Sequence, residues 1–135
     1  MCTWEGKILL CRRAIEPRKG SWTVPAGFME IGETMIAGAI RETWEEACAR
    51  IEVSRLAGIY EIPHIGHIHV FYEAVMTSPD YSPGTESEDV ALFALKDIPW
   101  DELAFHSVRW SLENICEGRG PEIQFGHYSK DDQGG

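Results

Sequence analysis

Three glutamates in the first half of the chain are the residues best placed to do chemistry. Glu42, Glu45 and Glu46 stand three and four residues apart, a spacing that makes side chains neighbours on a helix surface. A solvated helix face usually interleaves lysines with its glutamates, whereas Arg41 is the one nearby cation before Arg50. A divalent cation would remove the repulsion between these carboxylates, and their hard oxygen ligands suit Mg²⁺. The alternative is a solvated acidic face that binds nothing.

The helix that must position these glutamates is predicted over residues 34–50, with Thr34 as its N-cap. Its apolar residues fall within an arc of roughly 80° opposite the carboxylates, at about 100° per residue. These residues are Ile36, Ile40, Trp44, Ala47 and Ile51. We therefore expect one face of the helix to be buried and the other to carry the acidic groups.

A wider pattern surrounds the glutamates. Five residues separate Gly27 from Glu33, and seven more separate Glu33 from Arg41. The six positions of the pattern are Gly27, Glu33, Arg41, Glu42, Glu45 and Glu46. This pattern resembles the Nudix box, G-x5-E-x7-R-E-U-x-E-E-x-G-U with U an aliphatic residue, and six of its seven fixed positions match.

Three positions depart from the box. Thr43 and Ala49 replace bulky aliphatic residues, and Cys48 stands where the last glycine is expected. These positions serve helix packing and helix termination rather than metal binding, so the departures concern where the helix ends.

The resemblance extends over nearly the whole chain. The segments LLCRRAIEPRKGSWTVPAGFME, RETWEEA, IPHIGH, TESEDVALF and IPWDELAF resemble a Nudix subgroup that hydrolyses ADP-ribose, FAD or related dinucleotides. Many members of that subgroup carry an N-terminal zinc ribbon and a full first strand, and neither is found in this sequence. The resemblance implies an α/β/α sandwich in which a mixed β-sheet lies between helices.

The resemblance also implies a metal site, with Mg²⁺ as the cofactor and Mn²⁺ as a substitute. Its ligands would be Glu42, Glu45, Glu46 and the carbonyl of Gly27. A glycine suits that position because the backbone must approach the ion closely or turn with positive φ. We expect Glu33 and Arg41 to pair and to orient the glutamates, the alternative being an ordinary surface ion pair that contributes little.

A further carboxylate, supplied in this family from outside the box, would join the site. The candidates in TESEDVALF are Glu86, Glu88 and Asp89, with Glu86 preferred for its distance ahead of the next strand and Glu88 second. Each has the alternative of a solvated acidic loop. The catalytic base is left open between Glu45 and this loop, since its pKa in the metal-bound state decides the role.

Substrate contacts are sought among cations and aromatic residues. Arg12, Arg13 and Arg18 form the densest basic cluster and are candidates for phosphate or ribose oxygens, the alternative being a charged loop that offsets the acidic surface. Trp22 and Tyr60 are candidates for stacking on a base, the alternative being that both pack in the core.

Strands and one more helix are predicted around the box. Strands are expected at residues 7–11, 22–24, 53–61, 67–76 and 90–95, a turn at 63–66, a surface loop at 77–84, and a second helix at 107–117. Mixed strands and two helices indicate an α/β or α+β sandwich. A single domain over residues 1–135 is expected, with a truncated first strand and a disordered end from about residue 128.

Composition limits the partners. With a net charge of −10, the chain would repel nucleic-acid phosphates. The sequence has no apolar run of about 18 residues, and its four scattered cysteines indicate reduced thiols and a cytoplasmic protein. A small nucleotide substrate is the expected partner, and a homodimer agrees with the resemblance.

Three functions compete. The first is a Mg²⁺-dependent pyrophosphohydrolase that cleaves the diphosphate of ADP-ribose, FAD or an NADH-like dinucleotide, with a nucleoside triphosphate pyrophosphatase as its variant. The second is a nucleotide-sensing Nudix-like module without turnover, although such modules generally lose box glutamates and none is lost here. The third is a structural domain with a solvated acidic helix, which leaves the Gly27 and Glu33 spacing unexplained.

Overall fold

The apolar run after Lys7 forms a strand that is buried on both faces, and the fold is built around it. The structure is a computed structural model that describes residues 1–118 and 120–128. Its strands are β1 (Cys2–Trp4), β2 (Lys7–Arg13), β3 (Trp22–Thr23), β4 (Ile51–Ile62), β5 (His67–Met76), β6 (Ser87–Phe93) and β7 (Gln124–His127), and its α-helices are α1 (Met35–Ala47) and α2 (His106–Cys116).

The described strands form one mixed sheet. The order is β3-β2-β1-β5-β4-β7, and β6 pairs with β2. Two pairs, β1–β5 and β4–β7, are parallel, while the remaining pairs are antiparallel. The sheet and its two helices confirm the predicted α/β class.

Side chains alternate across β2 between two cores. Ile8 and Leu10 belong to the core that includes residues of α2, whereas Leu9 and Cys11 belong to the core that includes Ala47 of α1. A strand with both faces covered reads as a continuous apolar run rather than as an alternating one. The sheet therefore lies between the two helices, as the sandwich prediction requires.

The predicted elements are largely confirmed, with shifted boundaries. The strand at 67–76 has the predicted limits, and the surface loop at 77–84 is irregular. The turn at 63–66 is a short 3-10 helix, Pro63–Ile65. Helix α1 ends at Ala47 rather than at residue 50, and the strand expected at 90–95 covers Ser87–Phe93.

The strands nearest the two ends of the described residues are short. The short first strand lies inside the sheet between β2 and β5, where the Ala74 N–H donates to the Met1 carbonyl at 2.8 Å. β7 was not predicted, and the Tyr128 N–H that follows it donates to the Glu61 carbonyl at 2.8 Å. Of the disordered end expected from residue 128, the part from residue 129 onward lies outside the described residues.

The predicted orientation of α1 is wrong. Ile36, Ile40 and Trp44 are 43%, 38% and 42% exposed, so most of the apolar stripe is not covered. Of the stripe, Ala47 is buried as predicted, and beside it the helix buries Gly38 and Thr43. Small residues let the helix approach the sheet closely. Compared with the predicted orientation, the helix is rotated so that Glu42 and Glu46 are half-buried. Neither helix in the described residues is long and apolar enough to cross a membrane.

Cys48 ends α1 in place of the expected glycine. It adopts the left-handed conformation, with φ 48° and ψ 33°, while its N–H donates to the Trp44 carbonyl. A side chain in this region costs roughly 1–2 kcal/mol relative to glycine, and glycine is the usual residue there.

Cys48→Gly should therefore stabilise the protein. We expect the free energy of unfolding to rise by about 0.5–1 kcal/mol, because the relieved strain exceeds the added freedom of the unfolded chain. Urea denaturation measures this change. Cys48→Ala is the control, since it removes the thiol but keeps the strain, and equal stabilities of the two variants would contradict the prediction.

Candidate active site

The loop before α1 is tied to the helix by Glu33. Thr34 caps the helix by accepting the Ala37 N–H at 3.1 Å, as predicted. Glu33 accepts the Glu30 N–H at 2.7 Å and binds Arg41 through both carboxylate oxygens, at 2.8 and 3.0 Å. The predicted Glu33–Arg41 pair therefore forms. The hydrogen bonds from Arg41 are the main reason that the pKa of Glu33 falls to about 2.

Arg41 serves more than one carboxylate. Its guanidinium also donates to Glu42 at 2.7 Å, to Glu45 at 3.1 Å and to the Phe28 carbonyl at 3.1 Å. The hydrogen bonds to Glu33 and Glu42 are the largest causes that raise the pKa of Arg41. A single positive charge cannot neutralise three carboxylates, so the group keeps a net negative charge.

The side chain of Glu42 occupies the space beside Gly27. A Cβ at residue 27 would lie 2.2 Å from the Glu42 carboxyl carbon and 2.3 and 2.5 Å from its oxygens. Gly27 is not among the described residues with positive φ, and a Cβ at this position would displace the Glu42 carboxylate, which is the end of a flexible side chain, rather than any backbone atom. Burial raises the pKa of Glu42, against the opposing effect of Arg41.

Glu46 is the most strongly perturbed of the helix carboxylates. Its Oε2 accepts the Ala26 N–H at 3.1 Å. Burial is the largest cause that raises the pKa of Glu46 to about 7, and the charges of Glu42 and Glu86 act in the same direction. The carboxylate is thus held in a poorly solvated position next to others of its kind.

The structure separates the two loop glutamates that were candidates for the site. Glu86 lines a small hollow with Glu46 and Arg13, on the side of the helix that carries the carboxylates. Glu88 instead pairs with Arg12 at 3.1 Å. The partner of Glu88 is thus a cation on the adjacent strand, and its place at the metal site stays a prediction.

The three arginines predicted to contact the substrate lie in different surroundings. Arg13 lies beside Glu46 and Glu86, and its Nε donates to the Pro17 carbonyl at 2.6 Å. Arg12 is engaged by Glu88 and by the Gly20 carbonyl, while Arg18 lies on the exposed loop.

Trp22 and Tyr60 are core residues. Trp22 is 8% exposed and packs edge-on against Phe93, with ring centroids 5.0 Å apart, and Tyr60 is 6% exposed and packs against Trp110. Neither ring offers a free face to a base, so the stacking role predicted for them is corrected to packing.

The chemistry and arrangement of the side-chain oxygen donors decide whether a divalent ion fits this site. Within residues 1–118 and 120–128, no three His, Cys, Asp or Glu side chains are arranged to hold an ion together. Glu42 and Glu45 turn toward Arg41, and Glu46 toward the Ala26 N–H. The chemistry nevertheless fits, because the donors are carboxylate oxygens and their excess negative charge is not neutralised by the protein.

Sequence reasoning missed two backbone features of the site. The Ala26 N–H that holds Glu46 has no signature in the sequence, because every non-proline residue carries this donor. Gly84 contacts the carbonyl end of α1, whereas the sequence predicts only a surface loop over residues 77–84.

The fold and site define a class of protein. The sequence profile of the NUDIX domain family matches residues 1–111, so this chain belongs to the Nudix hydrolase family, whose members generally use a divalent metal ion. The resemblance found in the sequence is confirmed.

Individual relatives carry more specific names. An ADP-ribose pyrophosphatase from Methanocaldococcus jannaschii is 32% identical over 105 residues, which cover 75% of this chain and 61% of that protein. The crystal structure of a NUDIX hydrolase from Nitrosomonas europaea has a TM-score of 0.92 and 43% identity, covering 96% of this chain and 76% of that one. The NUDIX domain of Shewanella oneidensis NrtR, solved with ADP ribose, has a TM-score of 0.67 and 25% identity, covering 84% of this chain and 78% of that one.

The raised pKa of Glu46 has a consequence for the metal-free protein. Because the folded-state pKa exceeds the ordinary value of 4.5 and reaches about 7, the folded protein binds more protons than the unfolded chain between these values. Stability contributed by protonated Glu46 is therefore present below pH 4.5 and is lost as the pH rises toward 7.

Glu46→Gln should remove this loss. In the presence of a chelator, we expect the variant to match the wild type near pH 4.5 and to be more stable at pH 8, by at most about 3 kcal/mol. Melting temperatures across this pH range measure the effect. The exposed Glu52→Gln is the matched control, and a variant that gained the same stability at both pH values would contradict the assigned cause.

Proposed function

We propose that this chain is a Mg²⁺-dependent pyrophosphohydrolase that cleaves the diphosphate of a nucleoside diphosphate linked to a second group. The observation that carries the proposal is that Arg41 draws Glu42 and Glu45 together, while the carboxylate of Glu46 lies near those of Glu42 and Glu86. A structural domain would gain nothing from this repulsion. A cation and a diphosphate give the arrangement a purpose.

Each residue of the box has a proposed task. Glu42, Glu45 and Glu46, with the Gly27 carbonyl and Glu86, would hold the ion, and Mn²⁺ is proposed to substitute for Mg²⁺. When bound, such an ion neutralises phosphate charge and lowers the pKa of water. Glu33 fixes Arg41, and Arg41 in turn orients Glu42 and Glu45, so these two residues position the carboxylates rather than touch the substrate.

Water attack on phosphorus also needs a proton acceptor. Glu45 and Glu86 are the two proposed acceptors. The side chain of Glu45 is 53% exposed, which leaves it open to water, and Glu86 lies in the hollow beside Arg13. Arg13 is the cation that we propose for a substrate phosphate, because a guanidinium can bind two phosphate oxygens at once.

ADP-ribose is the first substrate to test. A relative with 32% identity is named an ADP-ribose pyrophosphatase, and a similar NUDIX domain was solved with ADP ribose. FAD and NADH remain in the proposed class because they share the diphosphate. We also propose, from the sequence alone, that the protein is cytoplasmic and forms a homodimer.

A substrate panel tests the proposed reaction. ADP-ribose, FAD, NADH and nucleoside triphosphates are incubated with Mg²⁺ or Mn²⁺, and the products are separated by chromatography. AMP with a phosphorylated partner would support dinucleotide cleavage. Pyrophosphate with a monophosphate would identify a triphosphate pyrophosphatase, and saturable binding without any product would identify a sensing module.

Glu45→Gln should abolish most turnover while preserving the fold. The change keeps the shape of the side chain and removes its charge, so we expect the turnover of the best substrate to fall by about 10²–10⁴-fold. Steady-state kinetics and a melting curve measure the two effects. Glu52→Gln removes one exposed negative charge outside the box and should retain wild-type turnover; unchanged turnover in Glu45→Gln would contradict the assignment.

A further inference from the structure

The connection between β5 and β6 is attached to the end of α1. We call residues 77–86 the docking loop. Within it, the Ser82 N–H donates to the Ala47 carbonyl at 2.9 Å and the Gly84 N–H donates to the Glu46 carbonyl at 3.0 Å. Carbonyls in the last turn of a helix have no partner within the helix. The docking loop therefore supplies donors that the helix itself lacks, directly beneath the glutamates of the box.

Gly84 brings the two backbones closer than any other residue would allow. A Cβ at this position would lie 1.7 Å from the Glu45 carbonyl oxygen, 2.8 Å from the Glu45 carbonyl carbon and 3.2 Å from the Glu46 Cα. All three are backbone atoms, so no side-chain rotation could make room. Gly84 is not among the described residues with positive φ. Its requirement is thus close approach rather than conformational freedom.

The docking loop ends at Glu86, which is held from both sides. The Ser87 N–H donates to the Gly84 carbonyl at 3.2 Å, and the Glu86 carbonyl accepts the Ala14 N–H at 2.9 Å. The Glu86 side chain is close enough to raise the pKa of both Glu42 and Glu46. The hydrogen bond between Ser87 and Gly84 therefore links the chain at Glu86 to the residue that contacts the helix backbone.

We propose that Gly84 is a positioning residue, which sets the Glu86 carboxylate against the carboxylates of α1 by locking the docking loop onto the helix backbone. This inference rests on the proposed function, in which Glu86 joins the metal-binding group. The competing explanation is that Gly84 only closes the end of the helix. The two explanations differ in whether the effect of Gly84 passes through Glu86.

A double-mutant cycle decides between them. Gly84→Ala, Glu86→Gln and the double variant are compared with the wild type in Mn²⁺ affinity by calorimetry, in kcat and KM, and in melting temperature. We expect Gly84→Ala to weaken Mn²⁺ binding and to lower kcat by about 10–100-fold, the range seen when a residue that orients metal ligands is lost. KM should change little. The double variant should have the same Mn²⁺ affinity and kcat as Glu86→Gln. If Gly84 acts through Glu86, the effects of the two substitutions are not additive.

Multiplied effects in the double variant would overturn the proposal, since Gly84 would then act independently of Glu86. Ser82→Ala is the control in the docking loop, because it keeps the backbone donor and should behave as wild type. If Gly84→Ala does not fold, Ser82→Pro replaces it in the cycle. This change removes the N–H that binds the Ala47 carbonyl without adding an atom at residue 84.

The cycle also separates this inference from the proposed function. If the wild type binds Mn²⁺ and cleaves substrate, and the losses of the two single variants multiply in the double variant, the proposed function is supported and the role of Gly84 is contradicted. If the wild type binds Mn²⁺ but cleaves no substrate, and the losses of Mn²⁺ affinity in the double variant are not additive, the positioning role of Gly84 is supported and the proposed function is contradicted. Absence of Mn²⁺ binding in the wild type would overturn both.

Discussion

The structure of the site depends on one guanidinium surrounded by more carboxylates than it can neutralise. Arg41 holds Glu33 through two hydrogen bonds and reaches Glu42 and Glu45 with its remaining donors. The pair with Glu33 anchors the preceding loop to α1, and the other contacts fix the direction of the acidic side chains. Because the charges do not balance, the site keeps an excess of negative charge, which the proposed cation would offset.

The way α1 lies on the sheet strengthens this effect. A helix that buried its large apolar residues would have turned all three glutamates into water, where charges are well solvated. By burying Gly38, Thr43 and Ala47 instead, the helix brings Glu42 and Glu46 against the loop at residues 26–27. Partial burial raises the pKa of both groups, which makes their ionised forms more costly without a metal ion than they would be on an open surface.

The sequence predicted the parts of the site that depend on spacing and failed where the answer lies in packing. The box residues, the Thr34 cap and the Glu33–Arg41 pair are local features of one helix and its preceding loop, so their spacing was sufficient. The rotation of α1 could not be read from its apolar stripe, because close approach of small residues outweighed the burial of Ile36 and Trp44. The same limit applies to the Arg12–Glu88 ion pair, which is set by strand pairing, and to the contact made by Gly84.

A calorimetric titration of the wild-type protein with Mg²⁺ or Mn²⁺, with and without ADP-ribose, tests most directly whether the acidic cluster is a cation site. The account predicts saturable uptake by the wild type and markedly weaker uptake by a variant in which both Glu42 and Glu46 are glutamine. A wild-type titration without saturable heat, even with nucleotide present, would contradict it.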